Sequence, residues 1–571
     1  MTKRRVKRWF ECGFAGAALG HLALPGAREG RMKGSGRNRQ LMMEELGTIG
    51  AFAQARKRAM TTIPGKAASP PTDELAQASS NRLAPSVASH PVQPIPWLLL
   101  GAITLVSLVL RLIGLNKCLW WDEIFFLVGT LRHPLGEILT VFTGDTQHPL
   151  YSVLARLCLV LFGEEPWSLR LPAVLFGVAS VPALHLLAAK VTSRAESLVA
   201  AAFLAVSYHH IWFSQNARGY TALAFFAIVS ALFLLDGIRS QKMGPFIAYA
   251  VAASLGIYTH ITMVFLVAAH FLVAAGWLIA ETRKGKSPVR WQPALAGFVL
   301  TGVLAALMYA PILTQVLHFF VHHPSSMKAV STPKWALAET LRGLSLGLGT
   351  TGVLVGAALV VLSGMWSYWK ESRLVFSLFV VPVVVTAMGA FAGRGTMYPR
   401  FYFFLIGYGV LILVRGTFYL PRVIVDHWPG KAKGSTKLAG ALAGVLAGIL
   451  LLASAYSLRK NYEYPKQDFD GALKLIESEK KDDGPVLTAG ATVFPYQQYF
   501  GKPWQSVQTP AELEAIVGRG QPVWLVYTFP RYLEAAVPGL PDVIRKEFTV
   551  VKVFHGTLGD GDVVVVRSQP K

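Results

Sequence analysis

From Trp97 onward the chain repeats one pattern, an apolar run of roughly 17–25 residues with few charges inside it, bounded by short polar segments. A helix rising about 1.5 Å per residue needs that length to cross about 30 Å of hydrocarbon, so each run predicts a membrane span. The runs lie near 97–115, 168–189, 196–213, 219–236, 245–262, 263–280, 294–313, 345–366, 374–391, 402–419 and 438–457, about eleven in all. A further stretch, Pro149 to Gly163, is apolar but only about 15 residues long and carries Arg156 in its middle.

Lysine and arginine decide how that stretch lies. If it runs along the surface, Lys190/Arg194, Arg239/Lys242, Arg283/Lys284/Lys286/Arg290, Lys370/Arg373 and Arg422/Lys431/Lys433/Lys437 all fall on one side, together with the basic N-terminal arm. If it crosses, they all move outside, against the bias of these residues toward the cytoplasm. The stretch is therefore read as a juxtamembrane helix. The outer loops are then 116–167, 214–218, the tip from Tyr258 to Thr262, 314–344 and 392–401, and the tail beyond Leu458 is outside as well.

In the tail the period changes. Phe469, Ala472, Leu473 and Ile476 keep helical spacing, and Thr509-Pro510-Ala511-Glu512 is a capping box with proline at the first helical position. Short strand-like runs follow at Val486 to Thr488, Val523 to Val526, Val550 to Phe554 and Val563 to Val566. Alternating helix and strand predict a small mixed sheet. The expected fold is thus mainly α, a polytopic transmembrane helical bundle at 96–458, with a small α/β domain at 459–571. Residues 1–95 are basic and rich in Gly, Ala, Ser and Pro, and they read as a disordered cytoplasmic arm. Its first residues imitate a signal peptide only loosely, and Met42, Met43 and Met60 are alternative starts.

Composition agrees, since 53% hydrophobic and 15% charged residues in a chain of 571 suit a membrane better than water. The formal charge of +23 sits in the arm and the short loops, which is a membrane pattern and gives no reason to expect nucleic acid. Cys12, Cys118 and Cys158 are widely spaced, so neither a disulfide framework nor a zinc site is expected.

The chemistry-bearing residues gather on the outer side. Trp120-Trp121-Asp122-Glu123 follows the first span, and acids beside Ile124-Phe125-Phe126 face partial desolvation, which favours a proton acceptor. An aromatic interface belt with solvated acids is the other reading. His148-Pro149-Leu150-Tyr151 opens the juxtamembrane helix. Ser214-Gln215-Asn216-Ala217-Arg218-Gly219-Tyr220 lies between two spans, and Arg394 to Tyr402 includes Arg400. Arginine at the hydrocarbon boundary is costly unless it snorkels or meets an anion, and guanidinium matches phosphate bidentately. Interfacial anchoring by Arg and Tyr is the simpler alternative for each cluster alone. Together, an acid to take a proton and cations to receive a leaving phosphate suit glycosyl transfer.

These segments resemble the C-type (GT-C) glycosyltransferases of the protein mannosyltransferase and aminoarabinose transferase group, glycosyltransferase family 39. Trp121-Asp122-Glu123 resembles the family's acidic motif, His148-Pro149-Leu150-Tyr151 its His-Pro-Pro-Leu-Tyr segment, and Ser214 to Tyr220 its Ser-Gln-x-Ala-Arg-x-Tyr segment. Tyr398 to Tyr402 is similar to a later Arg-Tyr element. The chain departs from the family at Leu150 and Gly219.

The resemblance implies juxtamembrane helices in the first outer loop and a polyprenyl-phosphate sugar donor. It implies Asp122 as base and Glu123 as a holder of acceptor or donor, with Arg218 and Arg400 on the lipid phosphate. Tyr220 and Tyr402 then line the donor, and His148, Tyr151 and Gln215 contact substrate. The expected reaction is an inverting single displacement onto an envelope lipid, glycan or protein, in a bacterial-type inner (plasma) membrane. No cofactor is required by this reading, and dependence on a divalent metal stays open. A transporter or lipid flippase is the main alternative, and a non-catalytic scaffold whose tail binds wall polymer is a third.

Overall fold

The computed structural model describes residues 94–569 apart from 145–146, 286–287, 323–332, 349–350, 393–398, 429–435 and 482. The expectations for the N-terminal arm and its alternative starts, for Cys12 and for Arg394 to Tyr398 lie outside the described residues. Cys118 and Cys158 are both free thiols.

The protein is a multi-pass membrane protein, but the expected eleven spans are too many. Among the described residues six helices are long and apolar enough to cross: Pro166–Ala189, Tyr220–Ser240, Met263–Lys284, Gln292–Tyr309, Pro399–Asp426 and Thr436–Glu463. A seventh arises if Arg194–Ala205 and Tyr208–Ser214, bent by 52° at their junction, count as one. Part of the excess came from equating an apolar run with an unbroken helix of full length. The first run yields Trp97–Leu112, 16 residues, which ends as Ile113 turns extended. The run at 245–262 yields Met243–Thr259, 17 residues, and stops at an extended His260. Arg373–Gly389 is another of the shorter apolar helices. Helix Pro149–Phe162 forms as expected, with proline at its start, and Arg156 donates to the Leu131 carbonyl over 2.9 Å.

Two contacts show how the helices are fitted. Where Thr351–Glu371 crosses Pro399–Asp426, a methyl on Gly416 would strike the Val360 carbonyl and one on Gly364 the Ile412 carbonyl. The backbones touch there, which only the smallest residue permits. At the bend between Arg194–Ala205 and Tyr208–Ser214, the carbonyls of Leu204 and Ala205 accept from Arg111 of the first helix, at 3.4 and 3.2 Å. The same guanidinium reaches Ser214 Oγ over 3.1 Å, Ser107 Oγ over 2.5 Å and His210 Nδ1 over 2.6 Å. A buried charge is thereby surrounded by acceptors, as an apolar bundle requires.

The C-terminal region is a five-stranded mixed sheet in the order β2-β1-β3-β5-β4, with β1 Val486–Ala489, β2 Gln505–Val507, β3 Trp524–Tyr527, β4 Phe548–Phe554 and β5 Val563–Ser568. β1 pairs in parallel with β2 and β3, whereas β5 runs antiparallel to β3 and β4. The expected helix forms at Phe469–Glu479 and buries Phe469, Ala472, Leu473 and Ile476. Thr509 caps Pro510–Val517 by accepting from the Glu512 amide over 3.2 Å. One apolar core holds Ile124, Leu127 and Tyr151 of the first loop region together with Phe469, Trp524 and Val565 of this region.

Candidate functional site

Trp120 is extended, and the chain then enters a six-residue helix, Trp121–Phe126, which carries both acids. One turn holds two different environments. Asp122 keeps 17% of its side chain exposed and meets Arg400, 28% exposed, with Oδ2 and Nη1 3.1 Å apart. Glu123 is fully buried, its oxygens 2.8 and 2.5 Å from Nε and Nη2 of Arg170. The Ala217 amide donates to Glu123 over 2.7 Å and the Trp120 amide over 3.3 Å. Burial works to raise the Glu123 carboxyl, but the Arg170 charge and these donors outweigh it and hold the carboxyl below its ordinary value.

Beside the Asp122–Arg400 pair, His148, Tyr220 and His260 pack as a ring cluster. His148 lies 4.7 Å from His260 and 5.1 Å, edge-on, from Tyr220, and Phe401 lies 6.0 Å from His260. Gly219 permits this closeness, since a Cβ there would stand 2.9 Å from His148 Nδ1 and 3.0 Å from Thr259 Cγ2. A side chain on residue 219 would collide with both.

Burial, followed by the charges of Arg218, His260 and Arg400, holds His148 well below the usual histidine range. Burial and then the charges of Arg218 and Arg400 push His260 down to about 3. Both arginines thus act on the same two imidazoles, which are neutral near pH 7. The Thr262 amide donates to His260 Nδ1 over 3.2 Å, and Thr262 Oγ1 stands 2.8 Å from the same nitrogen. His260 Nε2, Asn216 Nδ2 and Tyr402 Oη are buried with no hydrogen-bond partner among the described residues. A polar ligand would satisfy them.

The structure thus brings Asp122, His148, Arg218, Tyr220 and Arg400 together, and Tyr402 follows Arg400 by two residues in the same 3-10 turn. Tyr151 and Gln215 stand behind this group with their polar atoms engaged. The Tyr151 hydroxyl donates to the Leu169 carbonyl over 2.7 Å. Gln215 Nε2 donates to the carbonyls of Arg111 and Ile113 over 3.0 and 2.7 Å, and its Oε1 accepts from Asn461 over 2.8 Å.

Sequence reasoning missed His260, Arg170 and Lys466, and it named Asn216 within the 214–220 segment without giving it a role. His260 was signalled by a polar residue at the tip between two apolar runs, and Arg170 by a charge inside one. Lys466 left no signal, because its role depends on a fold-back of the tail. Its ammonium donates to the Gln215 carbonyl over 2.5 Å and lies 5.0 Å from the Trp212 ring. Burial, then the Arg170 charge, pushes it down to about 7 despite Glu123 nearby. Among the described residues no group of three or more His, Cys, Asp or Glu side chains is placed to hold a metal ion.

The profile of a family described as dolichyl-phosphate-mannose-protein mannosyltransferase matches residues 146–314. No curated protein sequence matches the chain. Among solved structures, ArnT from Cupriavidus metallidurans bound to undecaprenyl phosphate is similar at 14% identity, over 84% of this chain and 100% of that one, with a TM-score of 0.47. The oligosaccharyltransferase AglB from Archaeoglobus fulgidus, in complex with an inhibitory peptide and a dolichol-phosphate, is similar at 13% identity over 79% and 72%, with a TM-score of 0.46. The arabinofuranosyltransferase AftD from mycobacteria reaches 17% over 86% and 40%, with a TM-score of 0.45. Likenesses of this size assign no activity.

Proposed function

We propose that the protein is a membrane glycosyltransferase of the C-type fold that moves a sugar from a polyprenyl-phosphate carrier to an acceptor at the outer face of a bacterial-type inner membrane. The observation that carries this reading is the contact of Asp122 with Arg400, beside imidazoles that also feel Arg218. An acid able to take a proton thus stands against cations able to take a phosphate, at one boundary of an apolar bundle. The family profile that spans His148 to Tyr220 supports the same reading.

In the reaction Arg400 exchanges its carboxylate partner for the donor phosphate, which releases Asp122 toward the acceptor. Asp122 accepts the proton of the acceptor hydroxyl or amine as that atom bonds to the anomeric carbon. The carbon–oxygen bond to phosphate breaks, and the polyprenyl phosphate leaves with the electron pair, its charge met by Arg218 and Arg400. One displacement inverts the anomeric configuration. His148 and His260, being neutral, offer hydrogen bonds without adding charge, and Tyr220 and Tyr402 wall the site. Glu123, whose oxygens are taken by protein donors, fixes the loop that presents Asp122.

The test is transfer of labelled sugar by the purified protein in liposomes, from a polyprenyl-phosphate sugar to an envelope extract. Wild type should transfer, and Asp122→Asn should lose about 10²–10⁴-fold in rate. Full transfer by Asp122→Asn removes the assigned base. Movement of the lipid between leaflets without transfer replaces the enzyme with a transporter.

A further inference from the structure

The acid loop is not self-supporting. A helix leaves its first four amides without internal partners, and the six-residue Trp121–Phe126 helix has no side-chain cap at Trp120. The Trp121 amide instead donates to Oε1 of Gln467, 346 positions further on, over 3.0 Å. Gln467 is wholly buried, and its own amide group is oriented by donating to Thr528 Oγ1 over 3.2 Å, beyond the end of β3. The Cys118 thiol donates to the Gln467 carbonyl over 3.1 Å.

The indole of Trp121 is held from the same region. Its Nε1 donates to the Ala491 carbonyl over 2.9 Å, and its ring stacks 5.3 Å from Phe125, which in turn lies 5.3 Å from Phe494. Asp122 is therefore flanked by Trp121, tied to the C-terminal region, and by Glu123, tied to Arg170. With both neighbours fixed, the backbone that presents Asp122 to Arg400 is held from two sides.

We infer that Gln467 is a positioning residue for Asp122, so that the C-terminal region is part of the catalytic apparatus and sets where the base stands. This rests on the glycosyltransferase reading for its effect on rate, but the tether itself does not. An acceptor 3.0 Å from one amide is a small interaction by strength, and it gains importance from its place one residue before the base.

The experiment compares Gln467→Met, which keeps the volume and removes the acceptor, with Gln467→Glu, which keeps an acceptor, and Thr528→Val, which releases the orienting partner. Each purified variant is measured for kcat and donor KM in the transfer assay, for melting temperature, and for hydrogen–deuterium exchange of the peptide spanning 119–127. Gln467→Met should lose about tenfold in kcat, equivalent to about 1.4 kcal/mol, with donor KM within about twofold. Its 119–127 amides should exchange faster. Gln467→Glu should recover most of kcat, and Thr528→Val should fall between them.

Unchanged kcat in Gln467→Met, with wild type active, overturns the inference, as does a loss that Gln467→Glu and Thr528→Val fail to grade. Should wild type transfer no sugar, the function fails separately. Faster exchange in Gln467→Met then still upholds the tether, and unchanged exchange removes it. If Gln467→Met does not fold, Thr528→Val carries the same comparison.

Discussion

Asp122 and Glu123 carry the same headgroup one residue apart, and their surroundings give them different fates under substitution. Glu123→Gln leaves Arg170 buried without its counter-charge, a loss of about 3–5 kcal/mol for a broken buried pair. Asp122→Asn sits in a partly exposed pair, where stability changes little while transfer collapses. Thermal melting in detergent, run beside the transfer assay, should separate the two variants in opposite order. The acidic pair was legible as letters, but its division of labour was not, because Arg170 lies 47 residues away and was counted as part of a span. The histidines make a second prediction. His260 is held near 3 when folded against an ordinary 6.5, so the unfolded chain takes up the proton first as pH falls. The stability from keeping it neutral is complete above about 6.5 and drains away between there and about 3. Melting temperature should decline through that window, and His260→Asn should flatten the decline.

Helices were readable wherever a long apolar run folds as one unbroken helix, as at Met263–Lys284, where the run was expected at 263–280. They were misread where the backbone breaks inside a run. In the letters Ala205-Val206-Ser207 the one hint of a break is Ser207, which caps the second helix by accepting from the His210 amide, and the bend of 52° itself depends on Arg111 of another helix, which meets the freed carbonyls. The contact between Thr351–Glu371 and Pro399–Asp426 was equally hidden, because glycine in a membrane helix is common and only the crossing shows which glycines matter. Gly416→Leu should force the two backbones apart and lower the melting temperature by several degrees, whereas Gly440→Leu, with open space around its Cα, should be nearly silent. Differential scanning fluorimetry of the two variants checks this. In the tail the mixed sheet was foreseen, but the three-residue β2 carries too short a pattern to detect.

Across the whole molecule, the loop region after the first helix and the C-terminal region share one core and several polar ties. Sequence alone separated them by some 300 residues and left the role of the tail open; the fold-back through Lys466 and Gln467 is what joins them. The guanidinium of Arg111 carries one more implication, for biogenesis. Its acceptors at Leu204, Ala205 and Ser214 are synthesised 93, 94 and 103 residues after it. Until they emerge, the guanidinium has Ser107 of its own helix to donate to but not these three, so firm seating of the first hydrophobic segment in the bilayer must wait for the later hairpin, and a nascent chain stopped near residue 190 should be released from membranes by alkaline extraction more readily than one stopped near residue 245.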